Sequence, residues 1–578
     1  MAPLASGRTS IELIFLMFPV ITLLYSTTTS KTALNYFSED KKYLSLHFLF
    51  PWLATIFLCA VRVIRIPDCC TAALIGALVF ENVIIGRVNF SEEATIVISL
   101  ALLVASQSQC TPLPLLPDLY HLAMVITTAE IVLLLPKSFC FWFFILGLFV
   151  GILHVVQSHF RLQFTFLEYL LILIWAGNTV EAIVKFQPQL TSLINFQCGE
   201  VLMVVNCGII CVSLILCVIA LILEAFNPTY SQVVNPRRLI FLRSITFFIL
   251  LIIGIMTVLL PSLKYFLSGQ PSISWILKFL ILDSFERLYL CLLWCCLIIL
   301  FVISSQIIAF YSRLPKFCNR KIFHFLIILI IAPGIFIERI KSFTLLAIGV
   351  AFCAFLILET FRILVLVPSG KDWITLYYTL FEDENSEGRF WISSNMTLLY
   401  GCAFPLFLLA FWSEIPLCPL DEESIELSSK IAVGLCTSMD TTIWVELSEN
   451  KKLLMAVKSL LPHLGWITVG VGDSFAAIIG SQYGMHKWPG TKRTMEGTCA
   501  MFLSTLLTSI FILYSTVDRT SATFHDHIKQ LFSFTSIVPI IVTLLLTSFM
   551  EAYTTENDNI ILPLFSVVVY IAISSLFI

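Results

Sequence analysis

The sequence predicts an all-α protein, a polytopic integral membrane helix bundle with about 15 to 18 transmembrane helices. Three observations carry this prediction. Of 578 residues, 58% are hydrophobic and only 12% are charged, about half the ~25% charge of ordinary soluble domains. Apolar runs near the ~20-residue length that crosses a hydrocarbon core recur from end to end. The runs are continuous, without the period-two alternation of an outer-membrane barrel. Soluble globular, disordered, collagenous and coiled-coil classes are thereby excluded.

The expected spans lie near 11–25, 45–64, 69–86, 94–106, 119–135, 138–157, 164–184, 201–224, 239–260, 272–282, 288–310, 323–338, 343–366, 395–412, 453–470, 497–516, 532–550 and 560–578. The first, Ile11 to Tyr25, follows a single Arg8 and precedes no clear small-x-small cleavage site. It reads as a transmembrane helix rather than a signal peptide. A net charge of -3 leaves no nucleic-acid footprint. Cysteines such as Cys207, Cys211 and Cys217, or Cys291, Cys295 and Cys296, sit inside apolar runs and read as small buried thiols.

Two regions differ in what they carry. Residues 1–310 form an N-terminal transmembrane region with scattered ionisable groups, Glu130, Glu168, Glu181, Glu224, Asp283, Glu286 and Arg287. These read mainly as structural, with Asp283 and Arg287 four apart on one helical face; a lipid-accommodating groove is the functional alternative. Residues 311–578 instead carry polar clusters at the mouths of spans, as expected of a catalytic region. The clusters are Arg313–Lys316–Arg320–Lys321–His324, Glu359–Arg362, Glu382–Asp383–Glu384, Asp473–Gly497 and Glu551–Asn559.

Placing the basic run 313–321 in the cytosol and counting crossings puts all five clusters on that face. The count requires the segment 430–446, which holds Asp440 and Glu446, to lie in the interface rather than cross. It also makes loop 367–394 cytosolic, so the sequon at Asn395 is expected to be unmodified.

The informative stretch runs from Gly472-Asp473 through Ala476, Gly480 and Gly484 to Pro489-Gly490-Thr491-Lys492-Arg493-Thr494-Met495-Glu496-Gly497. Ala476, Gly480 and Gly484 are four apart and make a smooth helical stripe that admits another backbone or a ligand. Asp473 sits where a helix is expected to start, as an N-cap or as a metal-holding carboxylate. Pro489-Gly490 makes a tight turn, and Lys492 and Arg493 offer paired cations with the Thr494 hydroxyl beside them. Carboxylate, small residues, turn and cations together suit a nucleotide polyphosphate and its metal. No Walker A motif is present.

The pattern Asp-x2-Ala-x3-Gly-x3-Gly-x7-Lys-Arg-Thr-x-Glu-Gly resembles the CTP-binding signature of the CTP-dependent lipid kinases, the family of dolichol, diacylglycerol and phytol kinases. Trp488 to Thr494, Glu551-Ala552-Tyr553-Thr554-Thr555 with Asp558-Asn559 and Leu562-Pro563-Leu564, and Arg320-Lys321-Ile322-Phe323-His324-Phe325 are similar to the dolichol kinase branch. The resemblance is dense over 311–578. Arg493 departs from it, standing where the family usually has a second Lys, though it keeps the charge. The segment 425–451 departs as an insertion.

The resemblance implies transfer of the γ-phosphoryl of CTP to the terminal hydroxyl of dolichol or another polyprenol. The expected setting is the endoplasmic reticulum membrane, with Mg²⁺ or another divalent cation. It implies catalytic roles for Asp473, Lys492 and Asp558, with Asp473 and Asp558 as metal ligands. Gly472, Asp473, Ala476, Gly480, Gly484, Lys492, Arg493, Thr494, Glu496 and Gly497 would line the nucleotide, with Arg320, Lys321 and His324 reaching it. Glu359 and Arg362 are expected to pair and buttress the site, and Glu551 and Asn559 to support it. Rival readings are a kinase for another lipid alcohol, a cytidylyltransferase, and a transporter with Glu130, Glu181 and Asp283 along a polar path.

Overall fold

The computed structural model describes residues 197–225, 236–267, 269–282, 284–311, 316–336, 341–366, 394–411, 460–515, 534–554 and 557–575. The expected spans between 11 and 184, the segment 430–446, Asp283 and the loop 367–393 lie outside the described residues.

The described residues are helical and contain no strand; a single antiparallel bridge joins Lys487 to Thr494. In chain order they form α1 (Gln197–Ala225), α2 (Pro236–Gly254), α3 (Leu260–Phe266), α4 (Ser272–Leu277) and α5 (Phe285–Tyr311). Then come α6 (Lys316–Phe336), α7 (Lys341–Phe361), α8 (Ser394–Phe411), α9 (Ser474–Tyr483), α10 (Met495–Ser515), α11 (Phe534–Tyr553) and α12 (Asp558–Ser575). A π-helical turn, Ile255–Leu259, joins α2 to α3. Others extend α4 (Lys278–Leu282) and α7 (Arg362–Leu366) and lead into α9 (Trp466–Asp473). Six spans among these are long and apolar enough to cross a membrane: Val204–Leu223, Arg238–Tyr265, Phe285–Ser304, Ser342–Val365, Met495–Ser515 and Ser536–Tyr553. Shorter apolar helices cover Phe323–Phe336, Asn395–Phe407 and Asp558–Ile571. The described residues therefore form an all-α bundle with helices of membrane-crossing length and composition, the class read from the sequence.

Burial sorts the helices into inner and outer ones. In α12, Ile561, Leu562, Phe565, Val567, Val568 and Val569 are all fully buried, so the helix is apolar all round because protein surrounds it all round. It packs against α8, α11 and the 466–473 turn. By contrast α2 and α5 expose Phe241, Phe248, Ile252, Leu292, Ile299 and Leu300, the surface expected where lipid replaces water. The α1 helix packs mainly on α7, where Gly349 admits the Val205 side chain.

Glycines set the closest approaches. A Cβ on Gly334, near the end of α6, would overlap Thr344 near the start of α7, so these two helices run antiparallel. A Cβ on Gly401 of α8 would overlap the Asn559 carbonyl in the first turn of α12, and one on Gly465 would come 2.6 Å from the Cys402 carbonyl oxygen. These three backbones meet with no room for a methyl group, and that contact holds the start of α12 in place.

This packing predicts a contrast. Gly401→Ala forces backbone against backbone and should lower stability by about 1–3 kcal/mol, the usual cost of overpacking. Gly208→Ala, with no atom within 4 Å of the new Cβ, should be neutral or gain about 0.5–1 kcal/mol from helix propensity. Thermal unfolding in detergent reads both, and equal effects would contradict the contact.

Candidate active site

The candidate site is built where four helix ends converge. The 466–473 turn carries a helix onward into α9 without a break. Asp473 itself has helical φ and ψ of -62° and -32°, and its side chain caps nothing. The expectation of an N-cap at a helix start is thus corrected: the segment is one helix whose hydrogen-bond register slips at a π-turn, a feature frequent at functional sites. The Asp473 carboxylate lies inside the bundle, where it is 0% exposed. A buried carboxylate needs a partner, and α6 supplies it. Lys321 Nζ donates to Asp473 Oδ2. One turn on, His324 Nε2 lies 3.5 Å from the same oxygen and 3.2 Å from Asn559 Oδ1 of α12. Asp473 Oδ1 and the adjacent Ser474 Oγ are buried and find no hydrogen-bond partner among the described residues.

The second half of the site is the connection from α9 to α10. Gly484 ends α9 in an extended conformation, and a short hairpin follows. Trp488 N–H donates to the Arg493 carbonyl at 3.0 Å, Thr491 N–H to the Trp488 carbonyl at 3.1 Å, and Met495 N–H to the His486 carbonyl at 2.7 Å. Gly490 takes φ +75° at the tip, a value that suits glycine because no Cβ is present to clash. The Trp488 indole N–H donates to Thr498 Oγ1 at 2.9 Å, and its ring packs on Phe549 and Tyr553 of α11. Lys492 projects from the tip, exposed. Arg493 turns back over α11 and α12, 2.5 Å from Glu551 Oε1 and 3.6 Å from Asp558 Oδ2. Burial alone would lower the Arg493 pKa. The carboxylates of Glu551, Asp558 and Asp473 outweigh it and raise the pKa above its ordinary value. Arg493 and Asp473 thus share one electrostatic neighbourhood.

The structure brings Lys321, His324, Asp473, Arg493, Glu551, Asp558 and Asn559 into one network. The other predicted residues take different places. Ala476, Gly480 and Gly484 face α10. A Cβ on Gly497 would sit 2.9 Å from the Ala476 carbonyl oxygen and 3.3 Å from Gly480 Cα. Gly472 is closed off by Met501 and Thr505 of α10. The small stripe therefore serves a helix-to-helix contact, the first of its two sequence readings. Thr494 caps α10, its Oγ1 accepting the Gly497 N–H at 3.2 Å. The Glu496 carboxylate accepts the His486 N–H at 3.1 Å and lies 2.6 Å from His486 Nδ1, stitching the hairpin to α10. Glu359 and Arg362 form a two-point pair at 2.7 and 2.9 Å. Nearby, Arg243 of α2 donates to the Leu364 carbonyl at 3.2 Å and Phe361 meets Phe247. Arg320 lies in the same turns of α6 as Lys321.

Sequence reasoning missed the roles of Trp488 as the anchor of the hairpin and of Asn557. Asn557 accepts the Asn559 N–H through Oδ1 at 3.1 Å and donates to Thr397 Oγ1 of α8 at 3.3 Å. An Asn just before an acidic residue and an apolar run is a helix-start signal that could have found it.

No group of three or more His, Cys, Asp or Glu side chains gathers as a metal cage among the described residues. The network does hold three carboxylates, Asp473, Glu551 and Asp558, against two fixed cations, Lys321 and Arg493. The orphaned Asp473 Oδ1 and the Asp558 carboxylate of the same network are hard oxygen donors of the kind that suit a divalent ion.

No protein-family model matches the chain, and no solved structure matches it. Curated relatives do. The chain is 29% identical over 323 residues to a mouse protein named dolichol kinase, covering 54% of this chain and 50% of the relative. It is 27% identical to the human dolichol kinase over 57% of this chain and 53% of the relative. It is 25% identical to the Saccharomyces cerevisiae dolichol kinase over 52% and 45%. The chain thus spans about half the length of the curated relatives it matches, and over that half it is similar to dolichol kinases of mammals and yeast, as the motif segments implied.

Proposed function

We propose that the chain is a CTP-dependent dolichol kinase, moving the γ-phosphoryl group of CTP onto the terminal hydroxyl of dolichol or a related polyprenol to give its phosphate and CDP. The observation that carries the reading is the union of the Asp473 carboxylate and the Lys492-Arg493 hairpin in one cluster at one end of a membrane bundle. A polyisoprenoid alcohol keeps its body in the bilayer and presents its hydroxyl at the rim. A nucleotide reaches the same rim from water. Phosphoryl transfer asks for positioning and charge neutralisation more than for covalent help.

The roles follow from exposure and pairing. Lys492, exposed at the hairpin tip, meets the phosphates. Asp473, held by Lys321 and His324, presents its remaining oxygen toward the reacting groups, and half-exposed Asp558 opens toward water. A divalent cation, Mg²⁺ in the simplest case, would be held by Asp473 and Asp558 and would supply charge neutralisation at the phosphates. The rigid hairpin keeps the Lys492 backbone in place before substrate arrives, which spares ordering cost on binding. Residues 311–578 are the catalytic part, and residues 1–310 scaffold it or accommodate lipid.

The site face is proposed to be cytosolic, in an endoplasmic reticulum membrane. Arg237 and Arg238 open α2, Lys316, Arg320 and Lys321 open α6, and Lys487, Lys492 and Arg493 lie in the hairpin. Because Arg243 bonds Leu364 beyond the end of α7, and α7 runs antiparallel to α6, these helix starts share one end of the bundle. Basic residues gather on the cytosolic side.

Membranes expressing the chain, given dolichol and γ-labelled CTP, should produce labelled dolichyl phosphate, and the label should not transfer from ATP at comparable efficiency. Label that stays in solution while CMP appears on lipid would indicate a cytidylyltransferase instead. Asp473→Asn should reduce turnover by about a hundredfold, the scale of losing one preorganised electrostatic group. Lys492→Ala should raise KM for CTP by about tenfold, as expected for one charge-assisted contact. Removing divalent cations with a chelator should abolish labelling and restoring Mg²⁺ should recover it. Activity that survives chelation contradicts the metal assignment.

A further inference from the structure

We propose that Arg493 is a positioning residue and not a phosphate ligand: with Glu551 and Asp558 it forms a clasp that orders the hairpin and leaves Lys492 as its phosphate-facing cation. This rests on the phosphoryl-transfer reading above for what the hairpin is ordered to do. The geometry of the clasp stands without it.

Glu551 lies in the last turn of α11 and Asp558 is the first residue of α12, so one guanidinium spans the junction between the two helices. Glu551 is 2% exposed as a side chain, whereas Arg493 is 37% exposed. The buried carboxylate cannot find water, and without Arg493 it would be an unpaired buried charge or would take up a proton, and either way would no longer hold the hairpin. Two of the guanidinium nitrogens already face carboxylates, at 2.5 and 3.6 Å. An approaching phosphate would meet those carboxylates as well as the cation. The backbone of Arg493 is engaged too: its carbonyl accepts the Trp488 N–H, and its N–H donates to Thr491 Oγ1 at 3.1 Å. Lys492, next to it, points out at the tip. A planar fork that reaches two carboxylates at once is what Arg offers and Lys does not.

The two roles predict opposite effects for one substitution. If Arg493 bound phosphate while restrained by Glu551, then Glu551→Gln would free it and leave KM for CTP unchanged or lower. In the clasp, Glu551→Gln and Arg493→Gln each loosen the hairpin. Each should raise KM by about tenfold with kcat changed less than twofold, and the double variant should be no worse than either single one. Arg493→Lys, reaching one carboxylate, should fall between them and the native chain.

A second measurement needs no activity. Limited digestion of the full chain in detergent with a lysine-specific protease cuts after Lys487 and Lys492, and both Gln variants should be cut there faster than the native chain and equally fast. Equal cutting and a shared, non-additive KM rise support the clasp. Arg493→Gln far worse than Glu551→Gln, additive effects, or unchanged hairpin cutting in both variants would overturn it. A native chain that labels no lipid alcohol defeats the kinase reading instead, and the digestion pattern then still decides the clasp.

Discussion

A buried ion pair organises this end of the molecule. Asp473 has no access to water, and Lys321, reaching it from α6, is the first of the groups that hold its carboxylate ionised inside an apolar bundle, with His324 and Arg493 behind it. Each charge would be costly alone, since desolvating an ion costs several kcal/mol and its partner repays this only at close range. The pair therefore ties two segments 152 residues apart in sequence. It also fixes the face of α6 that His324 presents to Asn559, and through Asn559 the start of α12. A bundle held by lipid-compatible packing alone has little that specifies register; this polar contact does.

Around that pair the chain keeps its backbones close. Gly401, Gly465, Gly472 and Gly497 sit where a methyl group would strike a neighbouring helix, and one on Gly480 would strike the Thr494 hydroxyl that caps α10. The motif glycines thus act on the site indirectly: they bring α9 and α10 together so that the hairpin between them is short and emerges beside Asp473. The aromatic anchor Trp488, the Thr494 cap and the Glu496–His486 contact complete a loop with little freedom left. Pre-ordering of this kind is what a site that works by positioning requires.

Much of this was legible in the sequence, and the reasons are particular. Helix positions followed from continuous apolar runs: the expected span 497–516 is α10 at 495–515, and 343–366 is α7 with its π-turn. Lys321, Asp473, Glu551 and Asp558 stand out in the sequence as polar clusters at span mouths, and the roles expected of them come from the resemblance to the CTP-dependent lipid kinases. The pairing among them was not legible, since contacts across more than a hundred residues leave no local signal. The π-turn was hidden as well. The sequence reads as a span ending at 470 and a new helix starting at Asp473, whereas the helix runs on through this segment with Gly470 packed against Ile328 and Gly472 against Met501 and Thr505. Arg493 reads as half of a cation pair with its neighbour Lys492; only the fold separates an exposed Lys492 from a guanidinium that reaches Glu551 and Asp558.

The most direct measurement of the central contact is a double-mutant cycle on stability, with Lys321→Met, Asp473→Asn and the pair together unfolded in detergent. A buried pair predicts that each single change costs about 3–5 kcal/mol because it strands the other charge, and that the double variant costs clearly less than the sum. Small and additive effects would mean that Lys321 and Asp473 do not meet inside the bundle, and the site built on their contact would not stand.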